Sequence, residues 1–175
     1  MRRALDALYA CAAFVAAASL VTIALLVLAQ VGLRALGSQL PSADDFAGFA
    51  LVATTIVGLA PAYRRNAHIR VGLLIERFPL GYPVRRALER GVTAVSALLV
   101  GWAAWHTIRF VHESYVYNEI NQGLVAVKLW YPQSLMAFGL LVFFVALLDD
   151  LVTDLAGGTQ SHLAAHAGDA MPVEK

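Results

Sequence analysis

The sequence predicts an all-α membrane protein, a four-transmembrane-helix bundle with an amphipathic interfacial arm helix between helices 2 and 3. Three observations predict this fold. Of the 175 residues, 59% are hydrophobic and only 14% are charged, whereas a soluble domain carries about 25% charged residues. Four apolar runs are long enough to cross about 30 Å of hydrocarbon, which takes about 20 helical residues. Because these runs are continuous and do not alternate, they exclude a transmembrane β-barrel.

The predicted spans lie within a membrane domain of residues 1–156, at about 8–33, 45–63, 91–111 and 129–148. The first run is much longer than the roughly 7–15 apolar residues of a signal peptide, so we interpret it as a retained span. The single cysteine, Cys11, lies inside this run and has no partner for an internal disulfide.

The second span begins with helix-start signals and carries a ridge of small side chains. Ser42 and Asp45 have the spacing of a capping box, and Asp45 also places negative charge near the positive end of the helix dipole. Small residues recur every four positions along this span, at Ala50, Thr54, Gly58 and Ala62. Such ridges let membrane helices approach closely. The ridge packs either within this chain or against another subunit.

The third span has a helical pattern that extends from Val84 toward Tyr117, beyond the length that the bilayer requires. His106, Arg109 and Glu113 fall on one face near its end. This stripe is a candidate contact for an external partner. The alternative is an ordinary polar helix end that reaches into water.

The fourth span starts within LWYPQ, where Trp130 is a candidate interface residue, and ends at Asp149 and Asp150. Carboxylates are unfavourable at a helix C-terminus. We therefore expect arginines to face them, and the candidates are Arg2, Arg3, Arg64 and Arg65. Residues 157–175 show no periodic pattern and are predicted to form a disordered cytoplasmic tail.

Lysine and arginine counts predict the orientation of the chain. Ten of these residues lie at the termini or between the second and third spans, and three lie on the opposite side, at Arg34, Arg109 and Lys128. Because basic residues favour the cytoplasmic side, both termini are predicted to be cytoplasmic.

The segment between the second and third spans is predicted to form the arm helix, at about residues 66–80. At 100° per residue, four large apolar side chains cluster on one face, and two arginines lie together on its flank: Val71, Leu74, Ile75, Phe78, Arg70 and Arg77. This pattern is typical of a helix that lies on a surface of anionic lipid.

We find no motif for chemistry in this chain. It has no CxxC, HExxH, GxSxG or phosphate-binding loop, so we predict no catalytic residue, cofactor or metal site, and its charge pattern predicts no nucleic acid partner. Haem-carrying electron transfer is an alternative that needs histidines on facing helices, whereas His106 and His112 share one helix. The span interiors almost lack ionisable residues, which are the usual marks of a solute pathway. The chain is therefore predicted to support another transport protein.

One region resembles a known family. ADDFAGFALVATTIVGLAPAYRRNAHIRVGLL, residues 43–74, resembles the signature of the DctQ-like small membrane subunit of tripartite ATP-independent periplasmic (TRAP) transporters. The match is direct at residues 68–71, His-Ile-Arg-Val, and Trp130 with Pro132 is also similar. Gly72 and Asp45 depart from the family pattern, which usually has Asp and Glu there.

The resemblance implies a non-catalytic small permease subunit in the inner membrane of a bacterium. Its implied partners are a large polytopic permease and a periplasmic substrate-binding protein, which together take up a small organic acid, coupled to a sodium gradient. His68 and Arg70 would then brace the complex at the cytoplasmic interface. A small four-span subunit of another tripartite carboxylate uptake system is the alternative within the same functional class.

Overall fold

The computed structural model describes residues 2–64 and 82–155. These residues form four α-helices: α1 (Arg2–Ala35), α2 (Ala43–Arg64), α3 (Tyr82–Val116) and α4 (Trp130–Leu155). All four are long and apolar enough to cross a membrane. The described residues therefore confirm the all-α class with four membrane helices. The predicted arm at 66–80 and the predicted tail at 157–175 lie outside them.

Local backbone chemistry sets the ends of the helices. After α1, Gly37 adopts a φ of 74°, and the N–H groups of Gly37 and Ser38 donate to the carbonyls of Arg34 and Leu33 at 3.1 and 2.9 Å. This is a Schellman motif, which satisfies the last carbonyls of a helix and favours glycine at the left-handed position. At the start of α4, Pro132 lies in the first turn, where its missing N–H has no intrahelical partner to lose.

The predicted capping box at the start of α2 is not what the structure shows. Ser42 has a φ of 56°, and its hydroxyl accepts a hydrogen bond from the N–H of Val125 at 2.9 Å. The hydroxyl therefore holds the α3–α4 loop. A contact 83 residues away in the sequence has taken the place of the local one.

The helices pack side by side in the order α1, α2, α4, α3. α1 packs on α2, α2 on α4 and α4 on α3, while α1 touches α4 only slightly. The buried apolar cluster lies where the first three of these helices meet and contains Tyr9, Ala12, Val57, Ala60, Val142 and Ala146. This row leaves the outward sides of α1 and α3 uncovered.

Small residues allow the central helices to approach closely. A Cβ at Gly139 of α4 would lie 2.8 Å from the backbone nitrogen of Val57 and 2.9 Å from the carbonyl carbon of Ile56. Between α2 and α1, Gly58 faces the Cβ of Ala16, and the hydroxyl of Thr54 donates to the Ala16 carbonyl at 3.3 Å. The α2 ridge therefore contacts α1 of the same chain at two of its positions.

The two ends of the row carry different residues. The end that carries Asp6 of α1, Arg64 of α2 and Asp149 of α4 is here called the terminal end. The opposite end, called the loop end, carries residues 36–42 and 117–129. There the Gln30 side-chain amide donates to Asp44 at 3.1 Å and joins α1 to α2.

We expect Gly139→Ala to destabilise the protein. The added methyl group collides with the α2 backbone, which cannot rotate aside as a side chain can, so the free energy of unfolding should fall by about 1–3 kcal/mol. Gly48→Ala is the matched control, because a Cβ at Gly48 of α2 has no neighbour within 4 Å. Thermal unfolding of both variants in detergent measures the difference. Equal melting temperatures would contradict the close contact between α2 and α4.

Candidate partner interface

One arginine joins three helices at the terminal end. Nη1 of Arg64 in α2 lies 2.9 Å from Oδ1 of Asp6 in α1, and Nη2 lies 3.8 Å from Oδ2 of Asp149 in α4. The guanidinium also lies over the ring of Tyr9, 4.4 Å from its centroid, in a cation–π contact. The expectation that an arginine faces the carboxylates at the end of α4 is thus confirmed for Arg64 and Asp149.

The next residue along the chain extends these links to α3. The side chain of Tyr63 shares hydrogen bonds with Asp150 of α4 and Thr93 of α3. Its ring meets Phe143 edge-on at 5.8 Å. Asp150 is only 4% exposed, and a buried carboxylate needs such partners. We call the set Asp6, Tyr9, Tyr63, Arg64, Thr93, Asp149 and Asp150 the terminal-end polar layer, and it includes residues of all four helices.

The loop end is held by a folded connection between α3 and α4. Within the loop, the N–H of Asn121 donates to the Val127 carbonyl at 2.8 Å, and that of Leu129 donates to the Glu119 carbonyl at 3.0 Å. The Glu119 carboxylate accepts from the buried Ser114 hydroxyl at 2.6 Å. These bonds make residues 117–129 an ordered cap, here called the loop cap.

The loop cap lies against the start of α2. The bond from Val125 to Ser42 joins them, and Gly123 lies so close to Asp45 that a Cβ there would overlap the carboxylate oxygen Oδ2. Asp45, predicted as an interface or structural residue, therefore contacts another segment of its own chain. The cap still exposes large apolar side chains, among them Leu124, which is 86% exposed.

The stripe on α3 is exposed along its length. His106, Arg109 and Glu113 all lie on the surface of the helix, and the His106 ring contacts the ring of Trp102 with 4.6 Å between the centroids. Trp130 lies near the loop end, where its ring meets Tyr115 at 5.7 Å. No hydrogen bond, ion pair or ring contact in the described residues joins the stripe to Asp45 or Trp130, so the structure does not show these residues as a single site.

The remaining predicted site residues are divided between α2 and the segment outside the described residues. Ala50, Thr54 and Gly58 lie along α2, and the latter two contact α1. His68 and Arg70 fall outside the described residues. Within the described ranges, no group of three His, Cys, Asp or Glu side chains is placed to hold a metal ion. His106 and His112 both lie exposed on α3.

Sequence reasoning missed several members of the terminal-end polar layer. Asp6, Tyr9, Tyr63 and Thr93 were not singled out, although each lies close to the predicted terminal end of a span. The signal that could have found them is depth. Polar residues near the same membrane boundary in each of four spans lie at similar depth, so they can come close to one another when the spans pack side by side.

We expect Arg64→Gln to destabilise the fold more than Asp6→Asn does. Loss of the guanidinium removes two ion pairs and the Tyr9 contact and leaves Asp149 without its arginine partner, which together should lower the unfolding free energy by about 1–2 kcal/mol. Asp6→Asn removes one largely exposed pair and should change it by less than about 1 kcal/mol. Arg34→Gln, on the exposed end of α1, is the control. Denaturation in mixed detergent micelles measures all three, and equal effects would contradict a linking role for Arg64.

Comparison with known proteins agrees with this architecture. The profile of the family described as "Tripartite ATP-independent periplasmic transporters, DctQ component" matches residues 23–157. No curated protein shows significant similarity to the chain. With four helices able to cross a membrane, the match makes this a multi-pass protein of the inner membrane. Because the match covers well over half of the 175 residues, the chain belongs to the DctQ family and is a small component of a TRAP transporter.

Proposed function

We propose that this chain is a non-catalytic scaffold for the large permease subunit of a TRAP transporter. In this proposal, a periplasmic protein binds a small organic acid, the large subunit moves it inward with a sodium gradient, and this chain holds the large subunit in place. Family membership supports the TRAP system over another tripartite carboxylate system or a haem-carrying electron-transfer subunit.

The observation that carries the scaffold role is that the helix row is linked at both ends and closely packed between them. The terminal-end polar layer joins all four helices. The loop cap and the bond from Gln30 to Asp44 hold the other end. Between these ends, Gly139 lets α4 pack closely on α2, and Gly58 contacts Ala16 of α1. A transport subunit must move during its cycle, whereas this arrangement suits a static partner.

The proposal places the terminal end in the cytoplasm, because basic residues are concentrated on that side of the chain. The loop cap then faces the periplasm. Anionic lipid at the cytoplasmic surface is the proposed contact of the basic arm at residues 66–80.

The loop cap is the part of this chain that we propose to meet the substrate-binding protein. It is ordered by its own backbone bonds, so contact with a partner loses little chain entropy. It also exposes Ile120 and Leu124, which are 55% and 86% exposed. These side chains offer apolar area that a partner could bury.

Affinity purification of the tagged chain from native membranes in mild detergent tests the scaffold role. We expect a large polytopic permease in near-equal amount, identified by mass spectrometry, and a colourless preparation without a haem absorption band. Recovery of this chain alone, in a detergent that preserves other membrane complexes, would contradict the proposal. A Soret band would favour electron transfer instead.

We expect Leu124→Asp to weaken coupling to the binding protein without loss of the membrane complex. The aspartate charge would lose water when the binding protein docks, which disfavours docking. The concentration of binding protein that half-saturates uptake should therefore rise about threefold to tenfold, for a contact worth about 1 kcal/mol or slightly more. Uptake by proteoliposomes with the reconstituted transporter gives this value.

Leu155→Asp provides the matched control, because Leu155 is also an exposed leucine but lies at the terminal end, 66% exposed. It should leave the half-saturating concentration unchanged. Identical curves for Leu124→Asp and the unmodified transporter would reject the loop cap as the docking surface.

A further inference from the structure

α3 uses one face for α4 and leaves the opposite face uncovered. Small side chains are buried on the packed face, at Ala97, Ala104, Thr107 and Ser114. The opposite face carries Leu98 and Trp102, which are 73% and 65% exposed, and continues through His106, Arg109 and Glu113. We call these five exposed residues the α3 face.

Contacts with the neighbouring helices set the depth of this face in the membrane. Tyr115 of α3 meets Trp130 at the start of α4, and Thr93 of α3 bonds with Tyr63 in the terminal-end polar layer. Thr93 and Tyr115 are about 33 Å apart along the helix axis at 1.5 Å per residue, close to the roughly 30 Å of hydrocarbon. Arg109 therefore lies about 9 Å, and His106 about 14 Å, below Tyr115 along α3.

The fourth helix supports the same placement. Between Lys128 and Asp149 it carries no charged residue, so this stretch occupies the hydrocarbon. Thr93 lies about 24 Å from Arg109 along α3. A boundary drawn at the depth of Arg109 would therefore place the level of Thr93 and Asp150 about 6 Å inside the opposite boundary. Arg109 thus lies inside the membrane boundary, although the uncharged stretch of α3 itself ends at this residue.

Lipid is a poor neighbour for Arg109 at this position. Intramembrane arginines pair with other groups or reach the interface with their long side chains. In α3 the Cα–Cβ bonds tilt toward the N-terminus, which is toward the membrane centre at this depth, so reaching outward is hindered. Within residues 2–64 and 82–155, the structure shows no ion pair or hydrogen bond for the Arg109 side chain, and Glu113 does not pair with it.

We propose that the α3 face binds the large permease subunit, with a carboxylate or uncapped backbone carbonyls of that subunit opposite Arg109. This inference rests on the proposed scaffold function and adds the contact surface and its chemistry. Leu98 and Trp102 supply apolar packing, and Arg109 with His106 supplies hydrogen-bond donors in a low-dielectric setting. The depth of Arg109 makes the partner a membrane protein and not the soluble binding protein.

The outward side of α1 is the natural comparison. Phe14, Leu25 and Leu28 are exposed there, and no charged residue occurs between Asp6 and Arg34. Such a surface is compatible with lipid and has no group that demands a partner. The two edges of the row therefore differ in chemistry, and the polar one is assigned to the permease.

Site-specific photo-cross-linking in native membranes tests the assignment in the whole transporter. A benzophenone amino acid replaces Leu98 or Trp102 on the α3 face, and Phe14 or Leu25 on α1 as matched exposed positions. We expect a cross-link to the large subunit from the α3 positions and only lipid adducts from α1. Cross-links to the large subunit from α1 alone, or lipid adducts alone from the α3 positions, would overturn the proposal, as would the absence of protein adducts at all four.

Arg109→Leu gives an independent test, because a lipid-facing and a partner-facing arginine predict opposite results. If Arg109 meets acceptors on the permease, its loss should lower co-purification of the large subunit at least fivefold, while this chain still accumulates in the membrane. If Arg109 faces lipid, the substitution removes an unfavourable charge from the hydrocarbon. Recovery of the large subunit would then stay equal or rise, which would refute the inference. Arg34→Leu, beyond the uncharged stretch of α1, should leave recovery unchanged.

Failure of this inference and failure of the proposed function are distinguishable. If no large permease co-purifies with the unmodified chain, the scaffold role itself is wrong. If the permease is recovered but cross-links arise from α1, the scaffold role stands and only the surface has been misassigned.

Discussion

The contact of Arg64 with Asp6 and Asp149 is the interaction on which the helix row depends. In hydrocarbon, apolar side chains gain little by leaving lipid for one another, so membrane helices associate through close packing and polar contacts. Arg64 supplies polar contacts to two helices at once and lies over the ring of Tyr9. It also offsets the negative charge of Asp149, which lies within α4 near the terminal end. Because Tyr63 precedes it, the same turn of α2 reaches Asp150 and Thr93 as well.

Close packing of the helices is the second requirement for the row, and it needs small side chains where two helices meet. Gly139 lets α4 approach the α2 backbone, and small residues meet where α2 packs on α1, with Gly58 and Thr54 against Ala16. Polar links at the two ends set the register of the helices, and the small residues between them then determine how near the axes can come. Either feature alone would leave a loose association, since an end link does not align the middle of a helix and small residues do not choose a register.

Packing in a row has a consequence for function. In a closed arrangement of four helices each helix would pack against two neighbours, whereas in this row α1 and α3 each pack mainly against one, which leaves their outward sides available. These sides differ, because α1 exposes hydrocarbon side chains and α3 exposes Trp102, His106 and Arg109. A row with one apolar and one polar edge is suited to lie between lipid and a larger membrane protein. This contrast between the two edges is what supports the proposed contact with the permease.

The sequence by itself determined the number of membrane helices, because continuous apolar runs leave only helices possible in lipid. It also showed that recognisable catalytic motifs are absent, and it carried the family resemblance. It also indicated that an arginine would face the carboxylates at the end of α4. Only the tertiary structure decided which helices are neighbours, since apolar faces look alike in sequence whether they meet lipid or protein. It redirected the Ser42 hydroxyl from its own helix to Val125 and joined Tyr63 to Asp150 and Thr93. It also set the register between α3 and α4, with Tyr115 against Trp130, because such a register does not follow from the length of one apolar run.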